Sequence, residues 1–216
     1  MKKLKIIYED KFLIIVNKPA GEFTISRDNH YDNNLYDEVK GYVKKQNPKN
    51  KIFIVHRLDK NTSGLVLFAK GEKIKYELQK NWHDVERKYY AVVCGKINEK
   101  NASLKDLLYE TKSLDVIVTK NKNVGKLAIT NFEVIESNGK CSLLDINIET
   151  GKRNQIRVQL ANIGHPILGD KKYGKEKYRR MMLESYYLKF VHPVTKNVCT
   201  IELPLNDVFK NLVQKA

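Results

Sequence analysis

The distribution of apolar residues along the chain constrains the fold most strongly. These residues come in short runs, and runs such as residues 12–16 and 65–69 fall far short of the ~20 residues that a membrane-spanning helix needs. Asn138-Gly139 lies between two strand-like segments, 126–135 and 140–148, and this dipeptide is a strong signal for a tight β-hairpin. The pattern therefore predicts strands joined in hairpins and excludes a helical membrane protein.

Strand and helix patterns are mixed over the rest of the chain. Further strands are predicted over 4–8, 12–16, 52–55, 65–69, 87–94, 186–191 and 198–203. Helices are predicted over 35–46, 72–82 and 153–163, with a last one capped by Asn206 and ending at Leu212. Residues 26–34 are expected to form a polar loop, and 97–115 fit neither pattern. This mixture indicates an α+β fold with a mainly antiparallel sheet, forming one domain of two closely packed lobes over residues 1–216.

The charge balance points to a polyanionic partner. Lys and Arg number 40 against 25 Asp and Glu, which gives a formal net charge of +15. Such an excess attracts nucleic acid or an anionic membrane surface. The membrane is disfavoured because no amphipathic basic helix is evident. The alternative is that many of the lysines are merely solvated surface.

Cofactor and metal motifs are missing from the sequence. The three cysteines form no CxxC pair, and the five histidines are dispersed. The glycines at 164, 169 and 174 do not make a nucleotide-binding loop. The basic N-terminus is interrupted before any long apolar run, so a secretory signal is not expected. We therefore predict a cytoplasmic protein without a metal or a cofactor.

A charged loop between two apolar strands is the best place for chemistry. It runs from His56 to Gly64, and Asp59 lies there between Arg57 and Lys60. Neighbouring cations favour an ionised carboxylate, which serves as nucleophile or base. The alternative is that Asp59 only caps a turn. A two-carboxylate glycosidase is disfavoured because no second acid lies within ten residues of it on either side.

The same loop, HRLDKNTSGLVLFAK, closely resembles the signature of the RluA family of RNA pseudouridine synthases. Other segments resemble that family in the expected order: IIYEDKFLIIVNKPAG, RKYYAVVCG, ETGKRNQIRVQLANIGHPILGDKKYG and LKFVHPVTKN. The matches run from about residue 6 to residue 204. The resemblance implies a bent, mainly antiparallel sheet with flanking helices and a central RNA-binding cleft. It also implies isomerisation of uridine to pseudouridine in ribosomal or transfer RNA, without a cofactor.

The resemblance assigns roles residue by residue. Asp59 aligns with the essential aspartate, Arg157 with the arginine that pairs with it, and Tyr89 with the tyrosine that packs against the flipped uracil. Arg57 aligns with the arginine that fills the gap left by the flipped base, and Ile156 is expected to line the uracil pocket. The other predicted substrate-binding residues are His56, Thr62, Asn154, Gln155, Lys171, Lys172, Arg179 and Arg180.

The chain departs from the family pattern at several positions. Asn154 and Gln159 stand where histidines are usual, Arg87 replaces a lysine, and residues 183–185 replace a Leu-His-Ala segment. These changes leave open a catalytically silent RNA-binding or RNA-remodelling protein on the same fold. Because the motifs begin near residue 6, no N-terminal S4 domain is expected, and family analogy favours a monomer. The target uridine is not given by the sequence.

Overall fold

The structure is a computed structural model that describes residues 4–26 and 34–214. Its strands are β1 (Ile6–Glu9), β2 (Leu13–Lys18), β3 (Phe53–Ile54), β4 (Ser63–Ala69), β5 (Glu86–Cys94), β6 (Asn101–Glu110), β7 (Val116–Thr119), β8 (Lys126–Ser137), β9 (Cys141–Ile148), β10 (Leu183–Val191) and β11 (Val198–Glu202). The α-helices are α1 (Leu35–Gln46), α2 (Glu72–Lys80), α3 (Gln155–Asn162) and α4 (Asp207–Gln214), and a 3₁₀ turn covers Trp82–Asp84. Residues 27–33 of the polar loop expected from the sequence lie outside the described residues.

The chain divides into two compact units. The first contains the residues up to Val85 together with Tyr187–Leu203, and the second contains Glu86–Tyr186 together with the residues from Pro204 onward. Strand β10 begins in the second unit and ends in the first.

The first unit is built on the β2–β4 pair. These strands are antiparallel, with a register that runs from Leu13↔Ala69 to Lys18↔Gly64. Strand β1 pairs with the other side of β2, and β4 is followed in the sheet by β10, which pairs with β11. Every residue of β4 is buried, so both faces of this strand are covered. It provides a rigid base for the loop that precedes it.

A buried histidine joins two turns of this unit. The ring of His192 lies with Nε2 2.9 Å from Oδ2 of Asp10. The backbone N–H groups of Val194 and Thr195 donate to its Nδ1 at 3.2 and 3.0 Å. Because Nδ1 accepts, the ring proton lies on Nε2, which donates to the carboxylate. The β10–β11 turn is thereby fastened to the turn between β1 and β2.

The second unit carries the longer strands, in the order β10-β5-β9-β8-β6-β7. Strand β5 pairs antiparallel with β9 from Lys88↔Asn147 to Cys94↔Cys141. Strands β8 and β9 form the hairpin predicted from Asn138-Gly139, and Gly139 has the positive φ of +85° that such a turn favours. The segment that fitted neither pattern in the sequence contains β6, which pairs with β8.

Helix positions follow the capping signals. Helix α1 covers the predicted span, and the side chain of Asn34 accepts from Asp37 N at its start. Asn206 Oδ1 accepts from Val208 N at 3.0 Å, which begins α4 as expected. Helix α3 differs from the others because every residue from Gln155 to Leu160 is buried, polar ones included. The fold is α+β with a mostly antiparallel sheet and, in the described residues, four α-helices, as the sequence predicted.

Candidate active site

The Asp59 loop lies in the first unit, between β3 and β4. Side chains along it alternate in exposure: Arg57 is exposed, Leu58 is buried, and Asp59 is half-buried. Thr62 N donates to Asp59 O at 3.1 Å, which closes a tight turn, and the Thr62 side chain is buried. The turn fixes the backbone of Asp59 from the side that leads into β4.

A buried lysine holds the same loop from the other side. Lys18 is fully buried at the end of β2, and its Nζ donates to Pro19 O at 3.0 Å, Glu22 O at 2.8 Å and Lys60 O at 3.0 Å. Three carbonyl acceptors require three N–H donors, so the side chain is an ammonium. Gly21 N also donates to Lys60 O, at 2.9 Å. The segment after β2 is thereby fastened to the residue that follows Asp59.

A threonine secures the residue before Asp59. Thr24 Oγ1 donates to Leu58 O at 3.0 Å and accepts from Leu58 N at 3.1 Å, so one buried hydroxyl satisfies both backbone groups. With Lys18 holding Lys60, the backbone on both sides of Asp59 is fixed. The bond from Lys18 to Lys60 O spans 42 positions, so a local sequence pattern does not predict it.

His56 is held within the first unit. Leu67 N donates to its Nε2 at 3.0 Å, and its ring stacks on Trp82 with centroids 4.6 Å apart and an interplanar angle of 26°. The accepting Nε2 places the ring proton on Nδ1. These contacts anchor the start of the loop on β4. The substrate-binding role predicted for His56 stays a prediction.

Arg157 lies in the second unit and is held by an aspartate that the sequence did not single out. Its Nε donates to Asp170 Oδ2 at 2.7 Å and its Nη2 donates to Oδ1 at 2.8 Å, in a buried bidentate pair. Its Nη1 donates to Asn154 Oδ1 at 2.8 Å. Asp170 also accepts from the backbone of Lys172 and Tyr173. The guanidinium plane is therefore fixed by two side chains.

The environment of Asp170 keeps it ionised. Burial on its own raises the pKa of this carboxyl, but the hydrogen bonds and charge of Arg157 and the two backbone N–H groups outweigh it. The pKa of Asp170 is therefore lowered from its ordinary value. The charged pair that positions Arg157 persists at neutral pH.

Adjacent tyrosines on β5 have different surroundings. Tyr90 stacks on Tyr186 with ring centroids 3.7 Å apart, and Tyr186 donates to Asp145 Oδ1 at 3.0 Å. Burial, reinforced by Asp145, raises the pKa of Tyr186. Tyr89 points to the opposite face of the strand and is largely buried. The contact with uracil predicted for Tyr89 stays a prediction.

The two glutamines of α3 belong to a buried hydrogen-bond network. Gln159 accepts from Thr130 Oγ1 at 2.7 Å and donates to Asp106 Oδ2 at 2.8 Å. Gln155 donates to Thr130 Oγ1 at 2.9 Å and accepts from Thr150 Oγ1 at 2.7 Å. Both amides fasten α3 to the sheet of the second unit. The histidine-to-glutamine departure at position 159 therefore lies in the scaffold.

Other predicted residues of the second unit are spread over its surface and interior. Ile156 is buried on α3. Lys172 forms an ion pair with Asp115 at 2.7 Å, Lys171 is exposed, and the guanidinium of Arg180 lies 5.4 Å from the centre of the Phe209 ring. Arg179 is exposed and lies over the ring of Tyr178 at 5.7 Å.

The predicted site residues thus fall into two groups. The Asp59 loop, with His56, Arg57 and Thr62, belongs to the first unit, and Tyr89 and the predicted residues of α3 belong to the second. Within the described residues, no three His, Cys, Asp or Glu side chains are grouped to hold a metal ion. In that same part of the chain, no helix is long and apolar enough to cross a membrane.

Solved structures establish the class of fold. The chain resembles two human proteins, RNA Pseudouridylate Synthase Domain Containing 1 and RNA Pseudouridylate Synthase Domain Containing 4, with TM-scores of 0.76 and 0.80. The likenesses cover 94% and 95% of this chain and 83% and 90% of those chains, at 21% and 20% identity. The fold is that of a pseudouridine synthase.

Sequence relatives establish the family. The profile of the family described as RNA pseudouridylate synthase matches residues 12–162. The chain is 32% identical to the uncharacterized RNA pseudouridine synthase YhcT of Bacillus subtilis, over 97% of this chain and 71% of the relative. It is also 32% identical to ribosomal large subunit pseudouridine synthase D of Nitrosomonas europaea, over 98% of this chain and 64% of that protein. The chain belongs to the RNA pseudouridylate synthase family, in its RluA branch.

Proposed function

We propose that this protein converts uridine to pseudouridine in ribosomal RNA and that Asp59 is its catalytic carboxylate. The observation that carries the proposal is the Asp59 loop itself. Lys18 holds Lys60 O, Thr24 holds both backbone groups of Leu58, and the half-buried Asp59 lies between these two anchors. A carboxylate needed only to cap a turn does not require two buried side chains to fix its neighbours.

The reaction breaks the bond between uracil N1 and ribose C1′ and forms a bond from C5 to C1′. In the proposal, the Asp59 carboxylate attacks C1′ or removes a ribose proton, and either step releases the uracil. The base then turns over and C5 bonds to C1′, with departure of the Asp59 carboxylate from C1′ or return of the ribose proton. The proton on C5 is lost to a base, and N1 takes up a proton from solvent. The product has the same atoms as the substrate, so the step consumes no co-reactant.

The second group of residues supplies binding and charge. Arg157, whose guanidinium plane is held by Asp170 and Asn154, is proposed to take the role of the family arginine that pairs with the essential aspartate. Tyr89 is proposed to pack against the flipped uracil and Ile156 to line the uracil pocket; both side chains are buried. Exposed Arg57 takes the place of the base that leaves the stack. These roles follow the family resemblance residue by residue.

Ribosomal RNA is favoured as the substrate over transfer RNA. Similar proteins from Zymomonas, Nitrosomonas and Buchnera are named ribosomal large subunit pseudouridine synthases. The net charge of +15 suits a large polyanion. Transfer RNA, a cytoplasmic location and a monomeric state remain predictions from the sequence.

Tritium release tests the proposal. Ribosomal and transfer RNA transcripts labelled at uracil C5 are incubated with the wild type, Asp59→Asn, and Asp84→Asn as a matched exposed control. We expect release from ribosomal transcripts by the wild type and Asp84→Asn, and none by Asp59→Asn. Equal release by wild type and Asp59→Asn would refute the catalytic role of Asp59. RNA binding without release from either transcript would instead favour the silent RNA-binding protein.

A further inference from the structure

An aromatic ring beside the Asp59 loop is open to solvent. The side chain of Phe23 is 39% exposed, although the next residue, Thr24, is buried. Lys60, which follows Asp59 directly, has its Nζ 4.5 Å from the centre of the Phe23 ring. A single exposed phenylalanine is common on protein surfaces. Phe23 differs from such a residue in how its backbone is fixed and in what surrounds its ring.

Phe23 is anchored to the loop on both sides. Two residues before it, Gly21 N donates to Lys60 O at 2.9 Å, and one residue after it, Thr24 Oγ1 bonds both backbone groups of Leu58. The Phe23 carbonyl itself accepts from Leu35 N at 3.0 Å. These bonds fix the backbone of Phe23 relative to the loop that carries Asp59. A ring that merely covered apolar surface would not need to be held this way while remaining exposed.

The chemistry around the ring suits a nucleotide. A partly exposed aromatic ring can stack with any base, and an ammonium close to that ring attracts a phosphate. Arg57, on the same loop, adds a second exposed cation. An apolar segment of a protein partner would gain nothing from these two cations.

We infer that Phe23 and Lys60 form a subsite for a nucleotide next to the target uridine. Its base stacks on the Phe23 ring, and its phosphate lies against the Lys60 ammonium. The inference rests on the proposed function, because it takes the substrate to be RNA whose target base reaches Asp59. This contact favours RNA in which the base next to the target uridine is free to stack on Phe23. It does not depend on contacts to the target uracil.

The test compares ring variants on one releasing transcript. Phe23→Ala and Phe23→Leu both remove the aromatic face, and Leu keeps the apolar volume. We expect KM to rise about 5- to 150-fold for both, with kcat unchanged, because stacking is lost on binding. Phe23→Trp should bind within a few-fold of the wild type. Tyr76→Ala removes a ring that is 65% exposed on α2 and is the matched control, expected to leave KM unchanged.

A second readout separates this inference from the proposed function. Filter binding of the same RNA is measured with each variant, and thermal unfolding verifies that each is folded. Lys60→Gln is expected to lower the slope of log affinity against log salt by about 0.7–0.9. If Phe23→Leu binds as tightly as the wild type, the subsite is wrong, whether or not tritium is released. If no protein releases tritium but the binding differences hold, the proposed reaction fails, and Phe23 and Lys60 remain a nucleotide-binding subsite without a target uridine beside it.

Discussion

Removing the Lys18 ammonium tests whether the buried anchor positions Asp59. Lys18→Met keeps most of the stem volume but deletes three hydrogen bonds to backbone carbonyls. Hydrogen bonds to charged groups contribute about 1.5–3 kcal/mol each. The deletion also relieves the cost of burying a charge, which is several kcal/mol. We expect the free energy of unfolding to fall by about 2–4 kcal/mol.

The kcat of Lys18→Met should fall by more than the loss of folded protein explains. Without Lys18, the carbonyl of Lys60 loses its buried donor and the backbone after Asp59 is free to shift. A displacement of about 1 Å can cost about 100-fold in rate. Urea unfolding gives the stability, and tritium release below the unfolding transition gives kcat of the folded variant. Lys49→Met, on an exposed loop, is the control.

Two outcomes would refute this reasoning. One is an unfolding free energy for Lys18→Met equal to that of Lys49→Met. The other is a destabilised variant whose folded fraction retains wild-type kcat, because the anchor would then be structural without positioning Asp59.

The remaining predictions concern the second unit. Because the pKa of Asp170 is lowered in the native state, its contribution to stability is complete above about pH 4 and is lost as the pH falls through the native pKa. Asp170→Asn should cost about 3–5 kcal/mol at pH 7 and flatten this acid dependence, as urea unfolding between pH 3 and 7 would show. Gly169→Ala places a Cβ 2.2 Å from the carbonyl oxygen of Arg180 at φ +78°, so we expect a loss of about 2–5 kcal/mol, measured by thermal unfolding. Burial raises the pKa of the Cys94 thiol to about 11, so its alkylation by iodoacetamide at pH 8 should be far slower than that of an unfolded control.

Local signals in the sequence predicted the elements that depend on local bonds. The Asn138-Gly139 turn and the α1 span follow from backbone conformation and capping within a few residues. Strand β6 was missed because Lys105 and Asp106 interrupt its apolar pattern. Its pairing with β8 is what makes it a strand, and that partner lies outside any local window.

Only the motif residues of the candidate site could be predicted from the sequence. The charged loop pointed to Asp59 and the family resemblance added Tyr89 and Arg157, but the side chains that support these residues were not predicted. Asp170 reaches Arg157 across 13 positions, and Gln159 reaches Asp106 across 53. Such distant partners determine whether a polar side chain is exposed or buried in a hydrogen-bond network. The residue type alone therefore does not predict its burial.

A direct measurement of pseudouridine in the RNA tests whether Asp59 is the catalytic carboxylate. Ribosomal RNA transcript incubated with wild type, Asp59→Asn or Asp84→Asn would be digested to nucleosides and separated by chromatography. We expect pseudouridine with the wild type and Asp84→Asn and none with Asp59→Asn, while all three proteins bind the transcript equally. Pseudouridine formed by Asp59→Asn at the wild-type rate would contradict the assignment of the catalytic carboxylate.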